Sequence, residues 1–156
     1  MSEENVELVR SIFRPGDPSR FFDLLDEEVE QDATAMQHID SGAYLRGKDD
    51  VIEFYRHWWG TWDEYVMEPV EFIDAGEDRV VVVTDETGRG RESGAPFEIR
   101  RATIFTLRAG KIAKLQMFST REQALEAAGL SGVGDVGAER RQIRGRAGSS
   151  TSPIRA

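Results

Sequence analysis

The chain has 156 residues, 39% of them apolar and 31% charged, with two histidines, no cysteine and a formal net charge of −9. That length fits one domain with one sizeable core, and the missing thiols exclude disulfides, cysteine nucleophiles and thiolate zinc sites. Five arginines against Asp135 and Glu139 give residues 131 to 156 a net +3, which leaves −12 on residues 1 to 130; a body that acidic repels phosphate backbones and anionic headgroups, so neither nucleic acid nor a membrane surface is expected as partner.

Ser2 can cap a first helix, with Glu3 and Glu4 in its first turn and Leu8, Val9, Ile12 and Phe13 on one apolar stripe. Pro15 and Gly16 end it. Asp17 and Pro18 then open a short second helix that buries Phe21, Phe22, Leu24 and Leu25. "VEQDATAM", from Val29, alternates as a strand does, and a loop leads to a third helix beginning near Gly47. On that helix Val51, Phe54, Tyr55, Trp58 and Trp62 share a face, while His57 points roughly 240° from Val51 and so toward solvent.

From residue 65 the pattern turns to strands: "YVMEPVEFIDA", "RVVVVTDETGRGR", "PFEIRRATIFTLR" and "KIAKLQMFS". The breaks "GED", "ESGA" and "AG" are turn-like, which predicts antiparallel hairpins. A hairpin centred on Ser93 and Gly94 sets Glu86 opposite Arg101 and Arg89 opposite Glu98, both opposite-charge pairs. It gives Val82, Thr84, Glu86, Arg101, Thr103 and Phe105 one face, and a one-residue slip would replace Glu86 with Asp85. "STRE", Ser119 to Glu122, is a capping box that opens a last helix, carrying Leu125 and stopping at Gly129.

Residues 131 to 156 are rich in Gly, Ser and Arg and read as a flexible tail. Their "GVGDVG" matches a dinucleotide fingerprint in letters but lacks a preceding strand and a following helix. The longest apolar run is the "VVVV" of Val80 to Val83, so no membrane-spanning helix is expected, and "MSEEN" lacks the features of a signal peptide; a cytoplasmic location is compatible. Two histidines cannot form the usual multi-histidine metal site, and neither a phosphate-binding loop nor a nucleophile elbow is present. No cofactor is expected.

Several residues carry two readings. His38, beside Asp40 and Tyr44, is either a pocket base titrating near neutral pH or a loop histidine. Arg101 with Glu86 is either a functional pocket pair or a structural ion pair at its rim. Trp58, Trp62, Leu115 and Met117 serve as core, as ligand wall, or as both.

The element order, with "GKDDVIEFYRHWW", "VEFIDAGEDRVVVVTDETGRGRESG", "RRATIFTLRAGKIAKLQMFSTREQALEAAGL" and the opening "SEENVELVRSIF", resembles the SnoaL-like branch of the nuclear transport factor 2-like superfamily over residues 1 to 130. The resemblance implies an α+β cone: a strongly curved, mostly antiparallel sheet wrapped around three helices of the N-terminal half, a C-terminal helix, a deep pocket, and often a homodimer through the convex face. Here that face would carry Arg100, Ala102, Ile104 and Thr106. Relatives include ketosteroid isomerases, polyketide cyclases, limonene epoxide hydrolases and non-catalytic binding domains.

Matched without a gap from "GKDDVIEFY", the isomerases' general base falls on His38, and their oxyanion-hole aspartate and tyrosine fall on Thr103 and near Val9. Such donors contribute about 2.7 to 4 kcal/mol each, so efficient steroid isomerisation is not expected. Asp32 or Asp40 could hold the pocket position instead of His38. Arg101 with a carboxylate resembles the epoxide hydrolases' water-positioning pair, without their second aspartate. The resulting expectation is a cofactor-independent isomerase, cyclase or hydrolase acting on a small apolar molecule, with His38 as acid or base, Arg101 stabilising negative charge and Thr103 donating a hydrogen bond. Asp32, Phe54, Trp58, Trp62, Glu86, Phe105, Leu115 and Met117 would bind the ligand. The alternative is a non-catalytic module of the same fold that binds a small ligand or a partner protein, favoured by fewer than two convergent titratable groups in the pocket.

Overall fold

The computed structural model describes residues 2–14, 19–36, 44–130, 138–140 and 154–155. Three helices come early, α1 (Ser2–Ser11), α2 (Ser19–Leu24) and α3 (Lys48–Gly60), with β1 (Leu25–Asp32) and β2 (Tyr44–Arg46) before α3. Four long strands follow, β3 (Trp62–Gly76), β4 (Arg79–Gly90), β5 (Pro96–Arg108) and β6 (Lys111–Phe118), and then α4 (Arg121–Ala127). Pro15, Gly16, Asp17 and Pro18, expected to divide the first two helices, lie outside the described residues, as do Asp40, His38 and "GVGDVG".

The sheet runs β2-β1-β6-β5-β4-β3, antiparallel except where β1 lies parallel to β6. Strands β3 to β6 pair as the predicted succession of hairpins. Their tight turns fall where the chain tolerates positive φ: Glu77 and Asp78 between β3 and β4, Ala109 and Gly110 between β5 and β6, the two-residue geometry whose twist matches that of the strands. β7 (Ala138–Arg140) and β8 (Ile154–Arg155) pair with β3 at Glu71–Ile73 and at Val66–Met67. The sequence assigns no strand to residues 131 to 156, since neither piece is long enough to show a period.

Three further differences have local causes. β1 begins at Leu25 rather than Val29, and residues 44–46, read as loop, pair with Glu30–Asp32. Trp62 keeps the helical spacing of Val51, Tyr55 and Trp58, but α3 stops at Gly60 and Trp62 is the first residue of β3. The β4–β5 register is displaced by two residues: Arg101 pairs with Thr84, Thr87 with Glu98 and Arg89 with Pro96. The loop closes through Gly90 N–H to the Ala95 carbonyl and Gly94 N–H to the Gly90 carbonyl, with Gly94 at φ 72°. A shift of two preserves side-chain parity.

Two apolar clusters form on opposite faces of the sheet. Inside, Val6 and Val9 of α1 with Ile12 just after it, Phe21 and Leu24 of α2, and Val51 and Tyr55 of α3 pack on Val29, Phe72, Val82, Phe105 and Leu115. Outside, Ile73, Val81, Val83, Ala102 and Ile104 are covered by Ala124, Leu125 and Ala128. The sequence argument for a dimer supposes that this outer face needs a second copy. The chain's own α4 covers the middle of it, leaving Ala102 0% and Ile104 1% exposed, while Arg100 on the same face stays exposed.

Long-range polar contacts hold α4 there. Arg121 forks onto Glu71 (2.8 and 3.1 Å), and Arg79 donates to the Ala128 carbonyl at its C-terminal end (3.0 Å). The cap lies one residue beyond the start of the predicted Ser119–Glu122 box: Thr120 accepts from Gln123 N–H at 3.1 Å. Thr120→Ala should therefore cost about 1 kcal/mol, read as a fall of roughly 2 to 4 °C in the thermal midpoint. An unchanged midpoint would show that tertiary packing alone holds this helix.

Candidate functional site

Between the helices and the concave face lies a cavity of about 50 Å³. Its wall is mostly apolar: Ile12 and Phe13 after α1, Phe21, Tyr55 and Trp59 on the helical side, and Val82, Phe105, Leu115 and Met117 on the sheet. Polar atoms enter from β4 and β5, where alternation sends Thr84, Glu86, Arg101 and Thr103 inward.

Glu86 and Arg101 form a buried ion pair, 0% and 4% exposed. They sit diagonally on adjacent strands, and Arg101 Nη2 donates to Glu86 Oε1 at 2.7 Å. The same oxygen accepts a hydrogen bond from the Tyr65 hydroxyl, on the neighbouring β3. Arg101 Nη1 faces the Met117 Sδ at 3.3 Å, a weak acceptor. Glu86 Oε2 and Arg101 Nε are buried without a partner among the described residues, and the same holds for Trp59 Nε1. An unmet buried polar group costs about 1 to 3 kcal/mol, so one ion pair presents an open acceptor and an open donor beside an apolar space.

Electrostatics fix the protonation pattern. Burial works against the Arg101 charge, but the Glu86 carboxylate, with help from Tyr65 and Tyr55, more than offsets it, and the guanidinium is held more firmly protonated than usual. Burial, reinforced by the Glu86 charge and opposed by Arg101, pushes both the Tyr55 and the Tyr65 phenols up. Tyr65 is thus a neutral donor to a carboxylate.

The three tyrosines should separate on alkaline titration. Tyr44 is 50% exposed and raised mainly by its hydrogen bond to Glu30, yet it can ionise in the folded chain. Tyr55 and Tyr65 keep their protons in the fold and lose them near the ordinary pKa of about 10 only when unfolded. Their contribution to stability is therefore complete below pH 10 and is lost as pH rises beyond it. Absorbance near 295 nm should report one phenol before unfolding and two with it; three phenols titrating together in an intact fold would contradict the burial.

The structure brings Arg101, Thr103, Glu86, Phe105, Leu115 and Met117 to this one cavity. Phe54, Trp58 and Trp62 instead stack beside it with Phe97, the Trp62 and Phe97 centroids 4.2 Å apart. Asp32 is absent from the wall. Its carboxylate accepts from the Thr34 hydroxyl (2.6 Å) and N–H (3.0 Å), and the Thr34 hydroxyl first, against burial, holds it below the usual range. His57 is exposed, as predicted, at the rim of a separate open depression with Arg56, Trp62 and Arg91. Among the described residues no His, Cys, Asp and Glu group could hold a metal, and no helix is long and apolar enough to cross a membrane.

Sequence reasoning missed Tyr65 and Trp59. Thr84 lines the cavity on the face that alternation with Val82 and Glu86 assigns to it. Tyr65 was not legible, because an irregularity between Asp63 and Val66, with Glu64 at φ 56°, breaks the alternation there.

The concave sheet, the helices over it and the polar cluster between them define the class. A model of the SnoaL-like domain matches residues 6–115, and the chain belongs to that family. No protein of curated function matches it. Among solved structures it is similar to a hypothetical protein with a ketosteroid isomerase-like fold from Catenulispora acidiphila in complex with trimethylamine (18% identity, 83% of this chain and 95% of that one, TM-score 0.59). It is also similar to a candidate SnoaL-like polyketide cyclase from Jannaschia sp. CCS1 (19%, 81% and 92%, 0.63) and to TerC co-crystallised with polyporic acid (21%, 80% and 98%, 0.60). At these identities the likeness is one of fold, an α+β nuclear transport factor 2-like fold.

Proposed function

We propose that the protein takes a small, mostly apolar molecule into this cavity and carries out cofactor-independent acid–base chemistry on it, of isomerase, cyclase or hydrolase type. The observation that carries the reading is the Arg101–Glu86 pair, buried in an apolar wall with one donor and one acceptor still open. In a site that excludes water, a fixed guanidinium stabilises negative charge developing on a carbonyl or epoxide oxygen, and the Thr103 hydroxyl on the same wall can donate to it. His38 is the proton acceptor by the family resemblance alone. The ligands of two similar structures, trimethylamine and polyporic acid, support small-molecule binding in this fold. The resemblance also carries a homodimer, which sedimentation at micromolar concentration would read directly.

A second reading, binding without chemistry, draws on a specific observation. Among the described lining residues Glu86 is the one carboxylate and there is no histidine. Turnover decides between them. Small carbonyl compounds and epoxides that also carry a hydroxyl or amide N–H should react without added cofactor and in the presence of a chelator; compounds that bind but never react would establish the second reading.

A further inference from the structure

We infer that the ligand is a neutral molecule whose polar end is at once a hydrogen-bond donor and an acceptor, a primary amide or a hydroxyl, on a compact branched alkyl body. The inference rests on the proposed small-molecule cavity and names what that cavity selects.

Charge sets the first limit. The Arg101–Glu86 pair is already neutral as a unit, and both members are buried. An anion or cation added beside it would leave one uncompensated charge among Phe13, Phe21 and Phe105, which an apolar surrounding strongly disfavours. Hydrogen-bond complementarity sets the second. Glu86 Oε1 is occupied by Tyr65 and Arg101, so its open Oε2 accepts and can meet only a donor. Arg101 Nε and Trp59 Nε1 donate and can meet only acceptors. A ketone satisfies the donors and strands the carboxylate oxygen, whereas an amide or alcohol satisfies both kinds of atom. Size sets the third. At about 50 Å³ the space admits only a molecule of a few heavy atoms, and one much larger than a branched four-carbon compound requires the wall to move.

Four probes of nearly one shape isolate these limits: 2-methylpropanamide, its ketone isostere 3-methyl-2-butanone, isobutyrate and isobutyramidinium, with xenon as an apolar probe. Met67 and Met117 line the cavity, so methyl-labelled methionine NMR reports binding there, with Met36 buried elsewhere in the inner cluster as reference. The amide is expected to bind at least ten-fold more tightly than the ketone, the anion or the cation. Replacing the polar cluster together, Tyr65→Phe with Glu86→Leu and Arg101→Met, should abolish that preference while xenon still binds. Equal binding of amide and ketone, or tighter binding of either ion, would overturn the inference and leave the ligand cavity standing, as would signals moved by xenon alone. Silence from every probe, xenon included, would overturn both.

Discussion

Arg101→Met is expected to lower stability by about 3 to 5 kcal/mol, because removing one member of a buried ion pair strands the other. Glu86 has no exposed surface, and the neutral Tyr65 hydroxyl that remains on its Oε1 can supply a hydrogen bond but not a counter-charge. For a chain of this length the loss corresponds to a fall of about 10 °C in the unfolding midpoint. Its partner substitutions define the cause. Adding Glu86→Leu removes the stranded charge, and adding Tyr65→Phe removes the hydroxyl that would then lack an acceptor, so the triple variant should regain most of the loss. Arg100 provides the contrast one residue away: it forks onto Asp85 at 2.6 and 2.8 Å, but both side chains are about half exposed. Arg100→Ala should cost less than about 1 kcal/mol. If Arg101→Met melted like Arg100→Ala, the pair would not be buried as described.

That contrast also marks how far the sequence could be read. Alternation along β4 and β5 separates Arg101 from Arg100 and Glu86 from Asp85, and it survives a register error of two because strand side chains repeat every second residue. The inner wall was therefore legible before the pairing was right. What the sequence hid depends on irregular or distant geometry. Tyr65 follows a bulge that resets the alternation of β3. Trp62 matches a helical spacing that carries past the end of α3. The cover over the outer face is fixed by Arg121 to Glu71 and Arg79 to Ala128, contacts between residues about fifty positions apart that leave no local pattern. Phe54 and Trp58 fall on the helical face the sequence assigned, yet they stack on each other, Trp58 meets the Trp62–Phe97 stack edge-on, and neither lines the cavity. A shared apolar face does not say which of its members border empty space.

Given a substrate that turns over, His38→Gln is expected to lower the rate by about 10² or more while leaving stability nearly unchanged, the usual contribution of one positioned base. His57→Gln is the control: it is exposed beyond the cavity wall and should behave as wild type. The pH profile of kcat/KM then distinguishes the acid–base candidates. A histidine base loses activity as pH falls through its ordinary range near 6.5, so the wild-type profile should show an acidic limb there, absent from the residual activity of His38→Gln. Arg101→Met should instead depress turnover across the whole profile, since a guanidinium stays charged throughout and its task is to meet charge in the transition state. Wild-type activity in His38→Gln would transfer proton abstraction to Glu86 Oε2, the open oxygen already buried in the cavity wall.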